Sequence, residues 1–430
     1  MNLVPLLRNS SPLALMIAFA ATAPAADVND LTITGTSELT IVSADINAAG
    51  SLIVPATING APVVAVSSDA FRARDDLTSI VFEGNLRTVG DDAFADMQDL
   101  ASISFPNTLT SLGSGALSDC GSLTSVTLGN SLLEIEERTF ENSDMLESIT
   151  IPDSVTSIGD EAFRGCEALL SIVIPDNVDA IGDGAFRQCD DLATVVIGAG
   201  VITIGMDAFR DCPSLVNLTI GESVEEIQQE AFSGCESLTS VTIPDSVTMI
   251  GREAFIDCFD LTTVTMSQNI ETLGQEAFSG CEALTGITFP DSLVSIGEFA
   301  FADCLSMRFA KFDGTPPPES AVTNAFTDSL GNSRNIVTVG DIDLVRYGGA
   351  PVLNPEAVGL FSLSSIRDAE VGNVLVQADN EGNLSFNFDV QIFDDLGSVN
   401  PTSTVSRSVD VTPPAGIEFY RVRISDESAQ

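Results

Sequence analysis

Residues 246–281 read SVTMIGREAFIDCFDLTTVTMSQNIETLGQEAFSGC, and the two halves of this stretch say the same thing twice. Phe255 and Phe278 stand 23 residues apart. Continued outward, the same step lands on Phe71, Phe94, Leu117, Phe140, Phe163, Phe186, Phe209, Phe232 and Phe301, eleven units in phase without an insertion. A fixed period of this length marks a solenoid, because each unit is too small to bury its own apolar side and must stack on its neighbours.

Laid over one another, the units show which positions face inward. Eight residues before the phased Phe stand Val63, Leu86, Leu109 and their counterparts as far as Leu293; five before it every unit has Val, Leu or Ile. Six after it comes Leu, or Met307 in the last unit, followed by apolar residues such as Val241 and Ile243 with Ser240 and Thr242 beside them. L-x-x-V-x-I is a strand with alternate side chains buried, and V-x-x-I is a second, shorter extended piece. Around the Phe, residues 159–166 (GDEAFRGC) place Ala162, Phe163 and Cys166 at i, i+1 and i+4 behind Asp160 as a cap. That spacing predicts one helical or 3₁₀ turn with its apolar side inward. Pro152, Pro175, Pro244 and Pro290 end their strands, and Gly129, Gly198 and Gly221 hold the same place elsewhere, so turn chemistry sets the corner.

These units resemble the BspA-type leucine-rich repeat family, whose repeats read approximately as a strand, Pro, a short extended piece and I-G-x-x-A-F-x-x-C-x-x-L. The match runs from about residue 59 to residue 312 and is looser at its ends, where Ser67 replaces the Gly and Phe309 and Lys311 stand where Ser or Thr is usual. The fold expected is a leucine-rich-repeat solenoid, β-rich with short helical turns on the other side, followed by a small β-rich C-terminal module. Residues 26–60 read as an N-terminal cap, 61–312 as eleven 23-residue repeats, 313–348 as a degenerate repeat and C-terminal cap, and 349–430 as the β module. Within 313–348, Asn324, Ala325 and Phe326 mark a stretched twelfth unit.

Residues 1–25 carry Arg8, an apolar run and a small-residue end, Ala23-Pro24-Ala25, and read as a secretory signal peptide cleaved near Ala25. A membrane anchor is the alternative, against which the apolar run is short. No later segment supplies about 20 apolar residues. The expected product is secreted or held at the cell surface, with no transmembrane span in the mature chain. Asp and Glu number 62 against 17 Lys and Arg, a net charge of −45. Such an excess repels nucleic acid and anionic lipid and favours basic partners. The ending Glu418-Phe419-Tyr420-Arg421-Val422-Arg423-Ile424 looks similar to the F-Y-R-x-R endings of many secreted bacterial proteins; an ordinary edge strand is the preferred reading of it.

All eight cysteines, Cys120, Cys166, Cys189, Cys212, Cys235, Cys258, Cys281 and Cys304, sit three residues after the phased Phe or Leu117. Stacked about 5 Å apart with parallel Cβ directions, they are poorly placed for disulfides, which need Cβ atoms roughly 3.8 Å apart and turned together. A buried ladder of free thiols is the expectation. Metal binding needs ligands converging on a point, and this ladder supplies a line. Calcium is the one cofactor with any support, from corner carboxylates such as Asp91, Asp92, Asp160, Glu161, Asp190 and Asp191, but no stretch matches a calcium loop, and residues 379–383 (DNEGN) hold only a fragment of one.

Catalysis has little support. The chain has no His, which excludes Ser–His and Cys–His nucleophile systems and His-based metal sites. Among so many acids a carboxylate pair is certain to arise by chance, and without Trp and with two Tyr an aromatic sugar platform is weakly supported. The surface that repeats is the exposed side of the strands: Ser125 and Thr127, Ser148 and Thr150, Ser171 and Val173, Thr194 and Val196, Asn217 and Thr219, Ser240 and Thr242, Thr263 and Thr265. It is flat, hydroxyl-rich and uncharged, a face solenoids use for partners, although Ser, Thr and Val also simply suit a solvent-facing strand. The resemblance implies a surface protein that binds other proteins, and the expected function is non-enzymatic binding or adhesion through that face. A calcium-supported structural surface or matrix protein is the alternative, and a carbohydrate-active parallel β-helix enzyme a weaker one.

Overall fold

In a computed structural model of the protein, the described residues are 26–45, 48–313, 316–322 and 324–327, with strand segments further along the chain. The candidate signal peptide, residues 1–25, and most of 349–430 lie outside the described residues. Each 23-residue unit forms one coil of a solenoid with two parallel sheets. The first contains the L-x-x-V-x-I strands, for example Ser171–Ile174, Thr194–Ile197 and Asn217–Thr219, paired in strict register (Ile172 with Val195, Val195 with Leu218). The second contains two-residue strands, Ala180–Ile181, Thr203–Ile204, Glu226–Ile227 and their neighbours, again register-perfect at one coil per step. The identity of successive units makes this possible: only an exact repeat length keeps every inward residue over its counterpart.

At the N-terminal end, Leu31–Thr34 runs antiparallel to Leu39–Ala44, which then pairs in parallel with Ala61–Val66. The first coil therefore begins before the regular repeats, and an antiparallel strand covers the sheet edge that stacking would leave open. At the other end, Gly286–Phe289 pairs with Phe309–Phe312, and the same sheet continues to Val337–Val339 and Ala350–Leu353. Further on, Val371–Ala378, Leu384–Ile392, Ser403–Val411 and Val422–Ser425 pair in order as an antiparallel meander.

The core is a column of rings. Successive Phe rings from Phe140 to Phe301 are stacked 5.0–5.5 Å apart and nearly parallel, 13° at most. Phe326 adds one more at 5.5 Å, so the twelfth coil joins the stack. Leu117 interrupts it between Phe94 and Phe140. The adjoining coil, that of Phe140, departs from its neighbours in three columns at once, with Glu136 for Gly, Thr139 for Ala and Ser143 for Cys. The second sheet is broken between Ser111–Leu112 and Glu134–Ile135, and in the first sheet Ser148 makes only an isolated bridge to Ser125.

The corner around each Phe is not helical, contrary to the sequence expectation. Among the described residues the helical pieces are two 3₁₀ turns, Val28–Asp30 and Glu319–Ala321. In the coil of Phe163, Glu161, Phe163 and Gly165 donate their amides to carbonyls of the next coil (Asp183, Ala185 and Arg187, 2.7–2.8 Å), while Arg164 and Cys166 bond three residues back. A helix would need all these amides pointing along its own axis. The solenoid instead commits every second one to its neighbour, which requires left-handed residues two before and two after the ladder residue: Glu161 at φ 52° and Gly165 at φ 70° in this coil, Asp207 and Asp211 two coils on. Asp160 accordingly caps nothing in its own coil. Its Oδ1 accepts the amide of Asp183 at 2.8 Å, and Asp183 accepts that of Met206 at 2.8 Å.

The cysteines are buried and free, as the column argument required. Each thiol donates to the carbonyl of the ladder residue one coil earlier, as Cys189 does to Phe163 at 3.3 Å and Cys212 to Phe186 at 3.2 Å. Ser143 does the same chemistry with a hydroxyl, to Leu117 at 3.0 Å. Burial pushes the Cys120 thiol up to about 12 and raises Cys166 as well. Two results are expected. Cys189→Ser will change the unfolding free energy by no more than about 1 kcal/mol, since the hydrogen bond survives. The native protein at pH 8 will not react with a thiol reagent, whereas denaturant will release all eight thiols. Rapid labelling of folded protein would refute the second.

Candidate functional site

The strand face is held by the core beneath it. Ile172, Val195, Val241 and Val264 point into the interior, and the residues on either side of each are thereby turned outward. Ser125, Thr127, Ser148, Thr150, Ser171, Val173, Asn217, Thr219, Ser240, Thr242, Thr263 and Thr265 are exposed; Thr194 and Val196 are half-buried. Parallel pairing lines them into rows within each run of paired strands, Ser171 beside Thr194 beside Asn217, and Ser240 beside Thr263. Asn217 Nδ2 donates to Thr194 Oγ1 at 3.4 Å across this row.

The face is less uniform than the alternation suggests. Leu170 and Val173 are 54% and 61% exposed, and Val216 is 41% exposed two coils from Leu170. Across the coils of Phe163, Phe186 and Phe209 apolar side chains therefore stand among the polar ones, with Ala193 and Val196 in the coil between Leu170 and Val216. Leu170 and Val216 lie one position ahead of the strand's first hydroxyl, where the chain has already turned outward. The signal was in the sequence, since Thr124, Thr239, Thr262 and Thr285 hold that column elsewhere. Exposed carboxylates flank the same edge: Asp144, Glu147, Glu167, Asp190 and Asp191.

The corner opposite is charged on both sides. Arg138 donates to Glu161 at 2.7 Å, Arg164 to Glu161 at 3.0 Å and to Glu141 at 3.2 Å, and Arg210 pairs with Asp207 at 3.3 Å and with Glu230. A shallow hollow of about 250 Å³ lies among Arg138, Glu161, Arg187 and Asp207. Among the described residues, no three Cys, Asp or Glu side chains are grouped to hold a metal ion. No helix among them is long and apolar enough to cross a membrane.

Crowding of these acids has a measurable result. Desolvation, reinforced by neighbouring carboxylates, raises the pKa of Glu136, Glu141, Asp144 and Asp257. The hydrogen bond from Arg138 lowers that of Glu161. A carboxyl with a raised pKa in the folded state binds its proton more tightly there, so its contribution to stability grows as pH falls through that raised value. The lowered Glu161 contributes in the opposite sense, and its share is lost as pH falls through its depressed value. The melting temperature is expected to rise as pH falls from 7 toward the ordinary carboxylate range, about 4, and to fall once pH drops below it. A steady fall over the whole of that range would contradict this.

The geometry can be set beside known proteins. A family model described as "BspA type Leucine rich repeat region (6 copies)" matches residues 64–193 and 202–329. No curated protein sequence matches the chain. Among solved structures, a leucine-rich repeat protein from Bacteroides ovatus is similar at 22% identity over 66% of this chain and 93% of its own, with a TM-score of 0.42. A leucine-rich cell surface protein from Faecalibacterium prausnitzii is similar at 24% identity over 72% of this chain and 93% of its own, TM-score 0.43. A leucine-rich repeat protein of T. pallidum is similar at 24% identity over 55% and 91%, TM-score 0.38.

Proposed function

Because this chain belongs to the BspA-type leucine-rich repeat family, a family of protein-contact modules, we propose that it is a non-enzymatic adhesion protein of the cell exterior that grips other proteins along its strand face. One observation carries the reading: rows of exposed Ser, Thr and Val side chains held at one-coil spacing on a rigid stack, with few charges to desolvate. A flat row of this kind suits many weak contacts made together. The apolar stretch at Leu170, Val173 and Val216 supplies the dry centre that interfaces need, and the acidic edge beside it favours partners with basic rims. Export rests on residues 1–25, whose sequence reads as a cleavable signal.

The test is retention of the purified chain on protein-coated surfaces and on neighbouring cells. Thr219→Arg with Thr242→Arg places two long cations on the face without touching the core. Retention is expected to fall at least about tenfold, a loss on the order of 1.4 kcal/mol, with the melting temperature unchanged. Retention equal to the unmodified chain would remove the strand face from the proposal, and no retention on any surface would remove adhesion itself.

A further inference from the structure

One place on the strand face breaks the columns. From Ser79 to Thr263 every coil puts Ser, Thr or Asn at the strand's first outward position; the next two coils put Gly286 and Phe309 there. Two residues on, in the same strand as Phe309, stands Lys311, the only lysine in the chain. Gly286 and Phe309 are register partners, as are Thr288 and Lys311. A Cβ built on Gly286 would lie 2.4, 2.5 and 2.7 Å from three consecutive ring atoms of Phe309. Such nearly equal distances put the face of the ring, not its edge, over the glycine. The ring thus lies flat on the sheet, and its other face is open to solvent, the residue being 43% exposed.

Beside this platform is an open hollow of about 380 Å³, lined by Thr263, Thr265, Gln268 and Thr288 among others. That volume falls in the lower part of the range of small-ligand sites, about 300–1,000 Å³. Its polar groups are hydroxyls and one amide, each able both to donate and to accept. The one carboxylate at its edge, Asp313, is engaged by Lys311. A flat ring face beside neutral, two-way hydrogen-bonding groups, in a shallow hollow with no deep apolar socket for a side chain, matches the amphipathic faces of a sugar ring.

We propose that this hollow binds a saccharide, one ring resting on the outer face of Phe309 and its hydroxyls meeting Thr263, Thr265, Thr288 and Gln268. The site shares Thr263 and Thr265 with the face assigned to protein contacts but does not depend on that assignment.

The lone lysine makes the test direct. Reductive ¹³C-dimethylation of the full chain keeps the charge and gives one side-chain resonance, separable from that of the N-terminal amine by its pKa. Cellotriose, maltotriose and chitotriose are each titrated against it, together with an uncharged extended Ser/Val hexapeptide. At least one trisaccharide is expected to shift the Lys311 resonance with a Kd on the order of 1 mM. Phe309→Leu, which still covers Gly286 but offers no ring face, is expected to weaken that binding about tenfold while leaving the melting temperature within a few degrees of the parent. No shift with any trisaccharide, a shift undiminished in Phe309→Leu, or a shift with the hexapeptide alone overturns the proposal. Because the Thr219 and Thr242 substitutions lie outside the hollow, failure here leaves the protein-contact reading standing, and failure there leaves this one.

Discussion

Truncating Phe209 to alanine will lower the unfolding free energy by about 3–5 kcal/mol, the largest single loss expected from any core position in the regular coils. The ring is fully buried and touches the ring above and the ring below, Phe186 at 5.0 Å and Phe232 at 5.3 Å, both within 2° of parallel. Removing it deletes two stacking contacts and leaves a cavity that the flanking rings cannot close, because their own positions are fixed by backbone hydrogen bonds to the next coils, Phe186 to Ala208 and Phe232 to Ala254. In a solenoid each coil is coupled only to its neighbours, so the loss falls on one interface and the unfolding transition should broaden or split as the halves separate. Phe209→Leu should cost less than about 1.5 kcal/mol, since Leu117 already serves in this column. Denaturant unfolding followed by circular dichroism measures both. A loss below about 1 kcal/mol for the alanine variant would mean that the ring column is not what holds the coils together.

The second large effect is expected from Gly159→Val, at about 3 kcal/mol. Gly159 is not needed for its backbone angles. A Cβ there would lie 2.6 Å from the amide nitrogen of Glu137 and 2.8 Å from the carbonyl carbon of Glu136, so the side chain's absence is what lets adjacent coils approach. The column does admit side chains at Ser67, Glu136 and Gln228, but never in two consecutive coils. Placing Val at 159 fills two neighbouring positions at once. Gly182→Val should cost as much, since a Cβ there would lie 2.5 Å from the carbonyl carbon of Gly159 and 2.6 Å from the amide nitrogen of Asp160. Thermal melting of the two variants decides the matter: equal and negligible shifts would show that close approach is not the constraint on this column.

Much of the fold could be read from the period alone. Once Phe71 to Phe301 fell in phase, the inward columns at Val178, Ile181, Leu192 and Val195 followed, and the structure buries all four. The corner could not be read in the same way. Ala162, Phe163 and Cys166 have the spacing of a helical turn, yet the amides of Glu161, Phe163 and Gly165 bond the next coil. Spacing reports which side chains are buried and is silent on where the backbone hydrogen bonds go. The left-handed column two after the ladder residue is mostly Asp, Asn and Gly, the residues that accept that backbone, as in Asp96, Asn142, Gly165 and Asp211, but the column two before it also carries Glu, Arg and even Phe299, which blurs the signal. On the strand face the reading by alternate residues found the hydroxyl rows, and it missed Leu170 and Val216 because their column lies just ahead of the strand. Phe309 and Lys311 were visible as departures from the pattern, but the open ring face appeared only once Gly286 was seen beneath it.

The coil of Phe140 has a mechanical consequence. It has Leu117 in place of a ring on one side, carries Glu136, Thr139 and Ser143 in place of the usual Gly, Ala and Cys, and lies at an interruption of both sheets. Under tension applied to the two ends, a chain of otherwise equal links parts at its softest one. The expectation is a first, low-force extension confined to this joint, with the stack from Phe163 onward still closed, which single-molecule pulling would register as a short early step; a single rupture of the whole array would exclude it. Such a joint works as a fuse, lengthening the molecule under load before the rest of it is put at risk.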